Sequence, residues 1–312
     1  MLDVIDVTEW MQDEHNAVFP VGARDKAMLW SSEFEVEEGI KPNWPYLFKE
    51  SIVRYPDQFW TELVAYIVSK YLDIDVPKVF PAIRNTEDGI ICGSLIEWFY
   101  DVKSERFIHA GSYFKRLIPD FDDKTGKEHN FVDMNMFIRG LSLQAGLVTK
   151  RVSWLADMAL FDALIGNTDR HQDNWGVIFH ADDTCRLSPL FDNGTSLGHE
   201  RFTERVGGWT LEQMQRYVKK GCHHLRISRD NTEQRIPHVD LVNAIAQADP
   251  EMKTRIQQKL DNLDLVGMLA EIEALTEIGV DVRFSQQRYL WIKRNIEVRL
   301  ELIKEEMNND DN

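Results

Sequence analysis

The sequence predicts an α+β fold of two lobes, a β-rich N-terminal lobe followed by a mostly helical C-terminal lobe. Three β-like runs, KAMLW, YLFKES and GIICGSLIEWF, lie in the first hundred residues, whereas helical periodicity dominates after Asp101. A chain of 312 residues with 43% hydrophobic residues can bury a large core around a cleft. We therefore expect one domain with lobes at residues 1–101 and 102–312, joined by a hinge near Trp98 to Lys103.

The charge and the cysteines restrict the function classes. The formal net charge of -16 disfavours direct binding to nucleic acid or to an anionic membrane. The three cysteines, Cys92, Cys185 and Cys222, include no CxxC pair and so indicate neither a zinc site nor a disulfide framework. The acidic start MLDVIDVTEWMQDE lacks the pattern of a secretory signal. These features together predict a cytoplasmic protein.

The N-terminal lobe contains one predicted helix, PDQFWTELVAYIVSKYL, with Asp57 as its N-cap. Its apolar stripe consists of Phe59, Leu63, Tyr66 and Ile67. Glu62 lies within this stripe, where a charged group needs a partner. Lys49 in the run YLFKES is a candidate partner, although an edge-strand lysine and a glutamate beside the stripe would explain each residue separately.

A turn with one glycine precedes the first predicted strand. Its sequence, VGARDK, comprises Val21, Gly22, Ala23, Arg24, Asp25 and Lys26. Backbone N–H groups near Gly22 can cradle a phosphate, with Arg24 or Lys26 adding positive charge. A single glycine is equally typical of an ordinary turn, so this segment alone decides nothing.

The C-terminal lobe carries an unusual concentration of polar residues in the stretch GNTDRHQDNWGVI. The preceding run VSWLADMALFDALIG predicts a helix that ends at Gly166. After the loop, the strands WGVIF and RLSPLF predict a hairpin that leads to the segment FDNGTS. Helix, loop and hairpin together can bring Asp169, Asn174 and Asp192 to one place. A long helix, SQQRYLWIKRNIEVRLELIKEE, closes the predicted lobe, with Leu290 and Ile292 in its apolar stripe.

These three residue types match the needs of phosphoryl transfer. One carboxylate must orient the attacking hydroxyl and accept its proton, and a second carboxylate with an amide oxygen must hold Mg²⁺. Asp169 fits the first role, and Asn174 and Asp192 fit the second. The same Asp-to-Asn spacing occurs in the catalytic loop of protein kinases. An Asx-rich turn would explain the loop alone, but the FDNG segment after the hairpin favours the functional interpretation.

The chain resembles the HipA-like serine/threonine kinases, a bacterial family with a two-lobed, protein-kinase-like fold. The resemblance rests on VGARDK, YLFKES, WTELVAYIVSKYLDIDVP, LIEWFYD, LIGNTDRHQDNWGVI and LSPLFDNGTS. It implies ATP-dependent phosphorylation of a protein on Ser or Thr. Asp169 would be the catalytic base, Asn174 and Asp192 would bind Mg²⁺, and Lys49 would contact the ATP phosphates with Glu62 as its partner.

The resemblance implies further contacts with ATP. Glu97, Trp98 and Phe99 would form the hinge segment that meets adenine, largely through backbone groups. Val21 to Lys26 would be the phosphate loop, and His171 would help to shape the catalytic loop. Many members carry an autophosphorylated serine just before the loop glycine, but the stretch AVFPVGARDK contains no Ser or Thr. Family members often act as toxins held in check by a small helix-turn-helix partner, which implies an antitoxin-type partner here.

Two alternatives remain open at this point. The string GNTDRHQDNW is also similar to the DRHxxN loop of phosphoinositide kinases, and a lipid kinase would need a basic surface for an anionic headgroup. The run QRYVKKGCHHLRISR offers Lys219, Lys220, Arg226 and Arg229 for that surface, although a solvated helix face explains it as well. The second alternative is a kinase-shaped binding module without catalysis, but no residue of the expected machinery is missing.

Overall fold

The computed structural model describes residues 3–13, 25–34, 36–144, 146–230 and 232–309. In the N-terminal part of these residues, a sheet of six strands has the order β1-β5-β6-β4-β3-β2. The strands are β1 Ile5–Asp6, β2 Met11–Gln12, β3 Lys26–Trp30, β4 Pro45–Glu50, β5 Val79–Thr86 and β6 Gly89–Glu97. Neighbouring strands pair antiparallel except β1 and β5, which are parallel. The three predicted β-like runs are thus β3, β4 and β6.

The register of the sheet determines which residues share a face. Lys49 of β4 lies opposite Lys26 of β3 and Ser94 of β6, so the three side chains project from the same face. The other face covers a small core of its own, formed by Ile5, Val7, Ala27, Leu29, Ile40, Tyr46, Phe48, Phe80, Ala82 and Leu95. The alternation along β4 therefore separates Lys49 from this small core.

The first helix, α1, spans Trp60–Leu72 and packs on the Lys49 side of the sheet through Val79 and Ile96. The predicted N-cap, Asp57, is wrong, because the helix begins three residues later and no side chain caps it. The Asp57 carboxylate instead accepts a hydrogen bond of 2.8 Å from Nε of Arg288. Arg288 is 6% exposed, and a buried guanidinium gains more from a carboxylate than a helix end does.

The C-terminal part is mostly helical and contains a sheet of three strands in the described residues. The strands are β7 Arg106–His109, β8 Gly176–Phe179 and β9 Cys185–Leu187, in the order β7-β8-β9. The helices are α2 Ala110–Leu117, α3 Phe131–Gln144, α4 Arg151–Ile165, α5 Thr203–Val206, α6 Leu211–Lys220, α7 His238–Ala248, α8 Pro250–Asp261, α9 Leu265–Ala274 and α10 Gln286–Asn309, with a 3-10 turn at Leu275–Glu277. These elements confirm the predicted α+β class, and the exact division at residue 101 stays a prediction.

Helix α4 lies at the centre of the C-terminal part and leads directly into the candidate site. It packs against α3, α7, α8 and α10, and every residue from Leu160 to Ile165 is buried. The closing helix α10 buries Ile292 as predicted, whereas Leu290 is 53% exposed and does not belong to its apolar stripe. None of the helices in the described ranges has the length and apolar character needed to cross a membrane.

Candidate functional site

The polar loop begins where α4 ends at Gly166. This glycine has a φ of +64°, and its N–H donates to the Asp162 carbonyl, as in a left-handed helix cap. A Cβ at this position would lie 2.4 Å from the guanidinium of Arg299, which reaches in from α10. A residue with a side chain at position 166 would therefore be strained and would collide with Arg299, which disturbs the start of the loop.

Asp169 and Asn174 are held together across the loop. The Asn174 Nδ2 donates to the Asp169 carbonyl at 2.6 Å, and the Asp169 N–H donates to Oδ1 of Asn167 at 2.9 Å. Among the described residues, the Asp169 carboxylate forms no hydrogen bond or ion pair. Burial raises the pKa of Asp169; His171 opposes the rise, and the nearby negative charge of Asp192 adds to it. The loop thus presents a partly buried carboxylate that can take up a proton.

Lys49 connects three segments of the chain. Its Nζ lies 2.8 Å from Oε1 of Glu62 and also contacts the Asp192 carboxylate. Glu62 Oε2 accepts a hydrogen bond of 3.0 Å from the Asn193 N–H. Lys49 and Glu62 are 5% and 2% exposed, so the pair is shielded from water. The predicted pairing of Lys49 with Glu62 is present, and it joins β4 and α1 to the segment after β9.

A buried network that the sequence analysis missed lies beneath the loop. The Arg170 guanidinium donates to both carboxylate oxygens of Asp162, at 2.8 and 3.0 Å, and to Oδ1 of Asn193 at 2.6 Å. His223 Nε2 lies 3.0 Å from Asp162 Oδ2. Burial alone would raise the pKa of Asp162, but Arg170 and His223 hold it far below the usual range. The available signal was a charged residue, Asp162, within the apolar run Met158 to Ile165 at the end of α4.

The same guanidinium binds the backbone at or beside each of the two candidate metal ligands. Arg170 Nη1 donates to the Asn174 carbonyl at 3.3 Å and also to the carbonyl of Phe191, the residue before Asp192. Because Asn174 uses its Nδ2 on Asp169, its Oδ1 is left as an acceptor, and it accepts no hydrogen bond from a described residue. An amide oxygen and a carboxylate are ligands that suit Mg²⁺. In the described ranges, no cluster of three or more His, Cys, Asp or Glu side chains has the arrangement of a metal site.

The predicted hinge follows directly after β6. The Trp98 N–H donates to the Pro45 carbonyl at 3.1 Å, whereas the Phe99 N–H has no hydrogen-bond partner among the described residues. The Glu97 side chain points to the sheet face opposite Lys49 and pairs with Lys41 at 2.6 Å. The Phe99 ring stacks on Phe191 with centroids 4.8 Å apart. The Glu97 side chain therefore does not face the Lys49 side, and the Glu97 N–H donates to the Lys78 carbonyl at 2.8 Å.

The remaining predicted residues have mixed outcomes. Val21, Gly22, Ala23 and Arg24 lie outside the described residues, so the phosphate loop stays a prediction. Asp25 precedes β3, and its carbonyl accepts from the Glu50 N–H at 3.0 Å. The His171 Nδ1 accepts from the Asp173 N–H at 3.1 Å, a contact within the loop.

The basic run considered for a lipid headgroup does not form one continuous surface. Arg226 is 5% exposed and donates to the carbonyls of Thr232 and His224, at 3.0 and 2.9 Å. Arg229 pairs with Asp133 through two of its nitrogens, at 2.6 to 2.9 Å. Two of the four predicted basic residues are therefore already engaged within the protein.

Comparisons with known proteins identify the family of the chain. The sequence model of the HipA-like C-terminal domain matches residues 19–266. The serine/threonine-protein kinase CtkA of Helicobacter pylori is 34% identical over 76 residues, which are 24% of this chain and 23% of that protein. The match thus spans about a quarter of the relative's length.

Two solved structures share the fold. The Helicobacter pylori proinflammatory kinase CtkA superimposes with a TM-score of 0.75 at 16% identity, over 99% of this chain and 97% of that one. HipA of Shewanella oneidensis MR-1, solved with HipB and operator DNA, gives a TM-score of 0.54 at 14% identity, over 94% of this chain and 66% of that one. The fold is therefore two-lobed and kinase-like. With the family match covering most of its length, the chain belongs to the HipA-like C-terminal domain family.

Proposed function

We propose that this protein transfers a phosphoryl group from ATP to a Ser or Thr hydroxyl of a protein substrate. The main supporting observation is the contact of Lys49 with both Glu62 and Asp192, next to a loop whose Asp169 carboxylate has no hydrogen-bond or ion-pair partner among the described residues. A cation, two acidic groups and an amide oxygen in one place are the components that phosphoryl transfer requires. The kinase relative CtkA, similar in sequence and in fold, supports the proposal.

Asp169 acts as the base in this proposal. Its carboxylate accepts a hydrogen bond from the acceptor hydroxyl and takes the proton as the oxygen attacks phosphorus. Burial, which raises the pKa of Asp169, makes the carboxylate a better proton acceptor. The Asn174 amide and the Asn167 amide fix the backbone on either side of this residue, so the carboxylate is oriented before the substrate binds.

Asn174 and Asp192 would hold Mg²⁺, which supplies positive charge against the phosphate oxygens. Lys49 would contribute a second positive charge, and its pair with Glu62 would hold its ammonium group in place if Asp192 bound the metal. The hinge segment Glu97 to Phe99 would meet adenine through the Phe99 N–H, because the N–H groups of Glu97 and Trp98 already donate to the carbonyls of Lys78 and Pro45. The segment Val21 to Lys26 is proposed to cover the phosphates. His171 supports the loop through its contact with the Asp173 N–H.

The test of this function uses ATP labelled on the γ-phosphate, Mg²⁺ and purified protein beside Asp169→Asn. Generic acceptor proteins and phosphoinositide vesicles are offered in separate reactions. We expect label on protein Ser or Thr with the wild type and none with the variant. Label on lipid alone would replace the proposal by the lipid-kinase alternative. ATP binding without any transfer would point instead to the non-catalytic binding module.

The partner is a separate part of the proposal. The solved Shewanella oneidensis HipA is in complex with HipB and operator DNA, which favours a small antitoxin-type partner for this chain and a toxin–antitoxin role. Direct contact of this acidic chain with nucleic acid is not part of the proposal, because its net charge of -16 opposes it.

A further inference from the structure

An arginine outside the predicted machinery lies beside the candidate base. Arg235 belongs to the segment between α6 and α7, and its Nη1 lies 3.4 Å from the carbonyl of Thr168, the residue before Asp169. Burial raises the pKa of Asp169, and the positive charge of Arg235 counteracts part of that rise. The guanidinium is thus within electrostatic range of the group that is proposed to meet the acceptor hydroxyl.

The backbone around Arg235 is fixed. The Ile236 N–H donates to the Leu225 carbonyl at 3.2 Å, and the His223 N–H donates to the Ile236 carbonyl at 2.9 Å. The Ile236 side chain is 9% exposed, which anchors the segment next to Arg235 in the core. The position of this arginine is therefore set by the fold, although its side chain is exposed.

The guanidinium has unused binding capacity. Arg235 forms no ion pair with a carboxylate among the described residues, and its one hydrogen bond is the contact with Thr168. An arginine carries five N–H donors and pairs well with carboxylate or phosphate groups. By contrast, Arg226 and Arg229 in the same part of the chain are bound within the protein.

Arg235 and the nucleotide residues reach the candidate base from different segments of the chain. Lys49 and Asp192 come from β4 and the segment after β9 and contact each other. Arg235 instead lies with residues 222–226, and His224 in that group packs its ring against His171 at 5.9 Å. The attacking and leaving oxygens lie roughly in line during phosphoryl transfer. The acceptor hydroxyl must reach Asp169, and Arg235 contacts the residue directly before it, so residues next to the acceptor come within reach of the Arg235 guanidinium.

We propose that Arg235 is a specificity-determining residue that binds an acidic side chain next to the acceptor Ser or Thr of the protein substrate. This inference rests on the proposed kinase function and adds the substrate class. A chain with a net charge of -16 repels acidic peptides in general. The exposed Arg235 guanidinium beside Asp169 then favours substrates with an acidic residue at one position near the acceptor, whereas the overall charge of the chain does not attract acidic peptides.

The test compares Ser-containing peptides that carry Glu or Gln at successive positions around the acceptor. Transfer from labelled ATP and peptide binding by fluorescence anisotropy are both measured for the wild type, Arg235→Gln and Arg235→Glu. We expect the wild type to prefer a Glu peptide by about threefold to tenfold, as for a partly exposed ion pair. Arg235→Gln should remove this preference, and Arg235→Glu should shift it to a Lys peptide, with the KM for ATP unchanged. Arg216→Gln, which alters an exposed arginine on α6, serves as the control.

The outcomes separate this inference from the function on which it rests. An unchanged peptide preference in Arg235→Gln, or none in the wild type, would overturn the role of Arg235. A raised KM for ATP with unchanged peptide preference would overturn it too, because the guanidinium would then act on the nucleotide. Absence of transfer by the wild type to every peptide, with peptide binding still dependent on Arg235, would contradict the kinase function and leave an acidic-peptide site.

Discussion

The guanidinium of Arg170 donates to both carboxylate oxygens of Asp162, at 2.8 and 3.0 Å, where neither side chain is accessible to water. Asp162 lies in the last turn of α4, and Arg170 follows the candidate base directly. The same arginine binds Asn193, next to the candidate metal ligand Asp192. One buried ion pair therefore fixes the two functional segments relative to the central helix.

Removing the Asp162 carboxylate should be strongly destabilising. Asp162→Asn leaves a buried guanidinium without its counter-charge, and we expect the free energy of unfolding to fall by about 3–5 kcal/mol. Asp157→Asn is the matched control. Asp157 lies in the same helix as Asp162 and pairs with Arg255 of α8 at 2.6 and 2.7 Å, but this pair lies closer to the surface. That change should cost about 1 kcal/mol. Urea unfolding measures both, and equal losses would contradict the special role of Asp162.

Lys49→Met should impair the use of ATP and also lower the free energy of unfolding, because it leaves Glu62 buried without its counter-charge. The variant keeps an apolar stem but removes the ammonium that contacts Glu62 and Asp192. We expect kcat/KM for ATP to fall by about a hundredfold or more, as when one charge-stabilising donor is removed. Lys70→Met is the control. Lys70 lies near the end of α1 and pairs with Glu271 in a partly exposed position, so this variant should keep full activity. A variant with near-normal kcat/KM would show that Lys49 does not act on the phosphates.

Gly166→Ala should disturb the start of the catalytic loop. The residue has a φ of +64°, and the added Cβ would lie 2.4 Å from the buried Arg299 guanidinium. We expect a loss of more than about 1 kcal/mol in unfolding free energy, with reduced transfer. Gly140→Ala in α3, where no atom lies within 4 Å of the new Cβ, should instead stabilise by about 0.5–1 kcal/mol. Thermal unfolding measures both variants. Changes in unfolding free energy of the same sign in Gly166→Ala and Gly140→Ala would refute the conformational argument.

Acid should destabilise the protein through buried histidines. Burial lowers the pKa of His224 and of His238 to about 3, with Arg235 adding to the effect at His224, and burial lowers that of His129 well below 6.5. Between about pH 6 and 5 the unfolded chain carries about three protons on these histidines that the folded chain does not. Stability due to these residues is therefore full above the unfolded pKa and is lost as the pH falls toward the folded values.

The slope of the unfolding free energy against pH gives the number of histidines that stay neutral in the folded protein. Three such histidines contribute about 4 kcal/mol per pH unit in this window. His129→Gln keeps an acceptor for Trp175 Nε1, which lies 3.2 Å from His129 Nε2, and should reduce the slope by about a third. Urea unfolding at pH 6.0, 5.5 and 5.0 measures it. A slope that is the same in the wild type and the variant would mean that His129 is protonated in the folded state.

The parts of the site that depend on local pattern could be predicted from the sequence. The spacing of Asp169 and Asn174 in one loop, and the charge of Glu62 within an apolar stripe, are visible without a structure. The role of Asp162 depends on Arg170 and His223, which meet it only after folding. The same applies to Asp57, which was expected to cap α1 but pairs with Arg288 from the far end of the chain. Long-range ion pairs override local signals because burial makes an unpaired charge costly.

The central claim is the division of roles between Asp169 and Asp192, and paired measurements of binding and transfer test it most directly. Calorimetric titration with a non-hydrolysable ATP analogue, with and without Mg²⁺, is combined with transfer assays on Asp169→Asn and Asp192→Asn. We predict near-normal Mg²⁺-dependent binding but no transfer for Asp169→Asn, because the amide keeps the shape and loses the basicity. Asp192→Asn should weaken Mg²⁺-dependent binding itself. Transfer by Asp169→Asn at the wild-type rate would contradict the account.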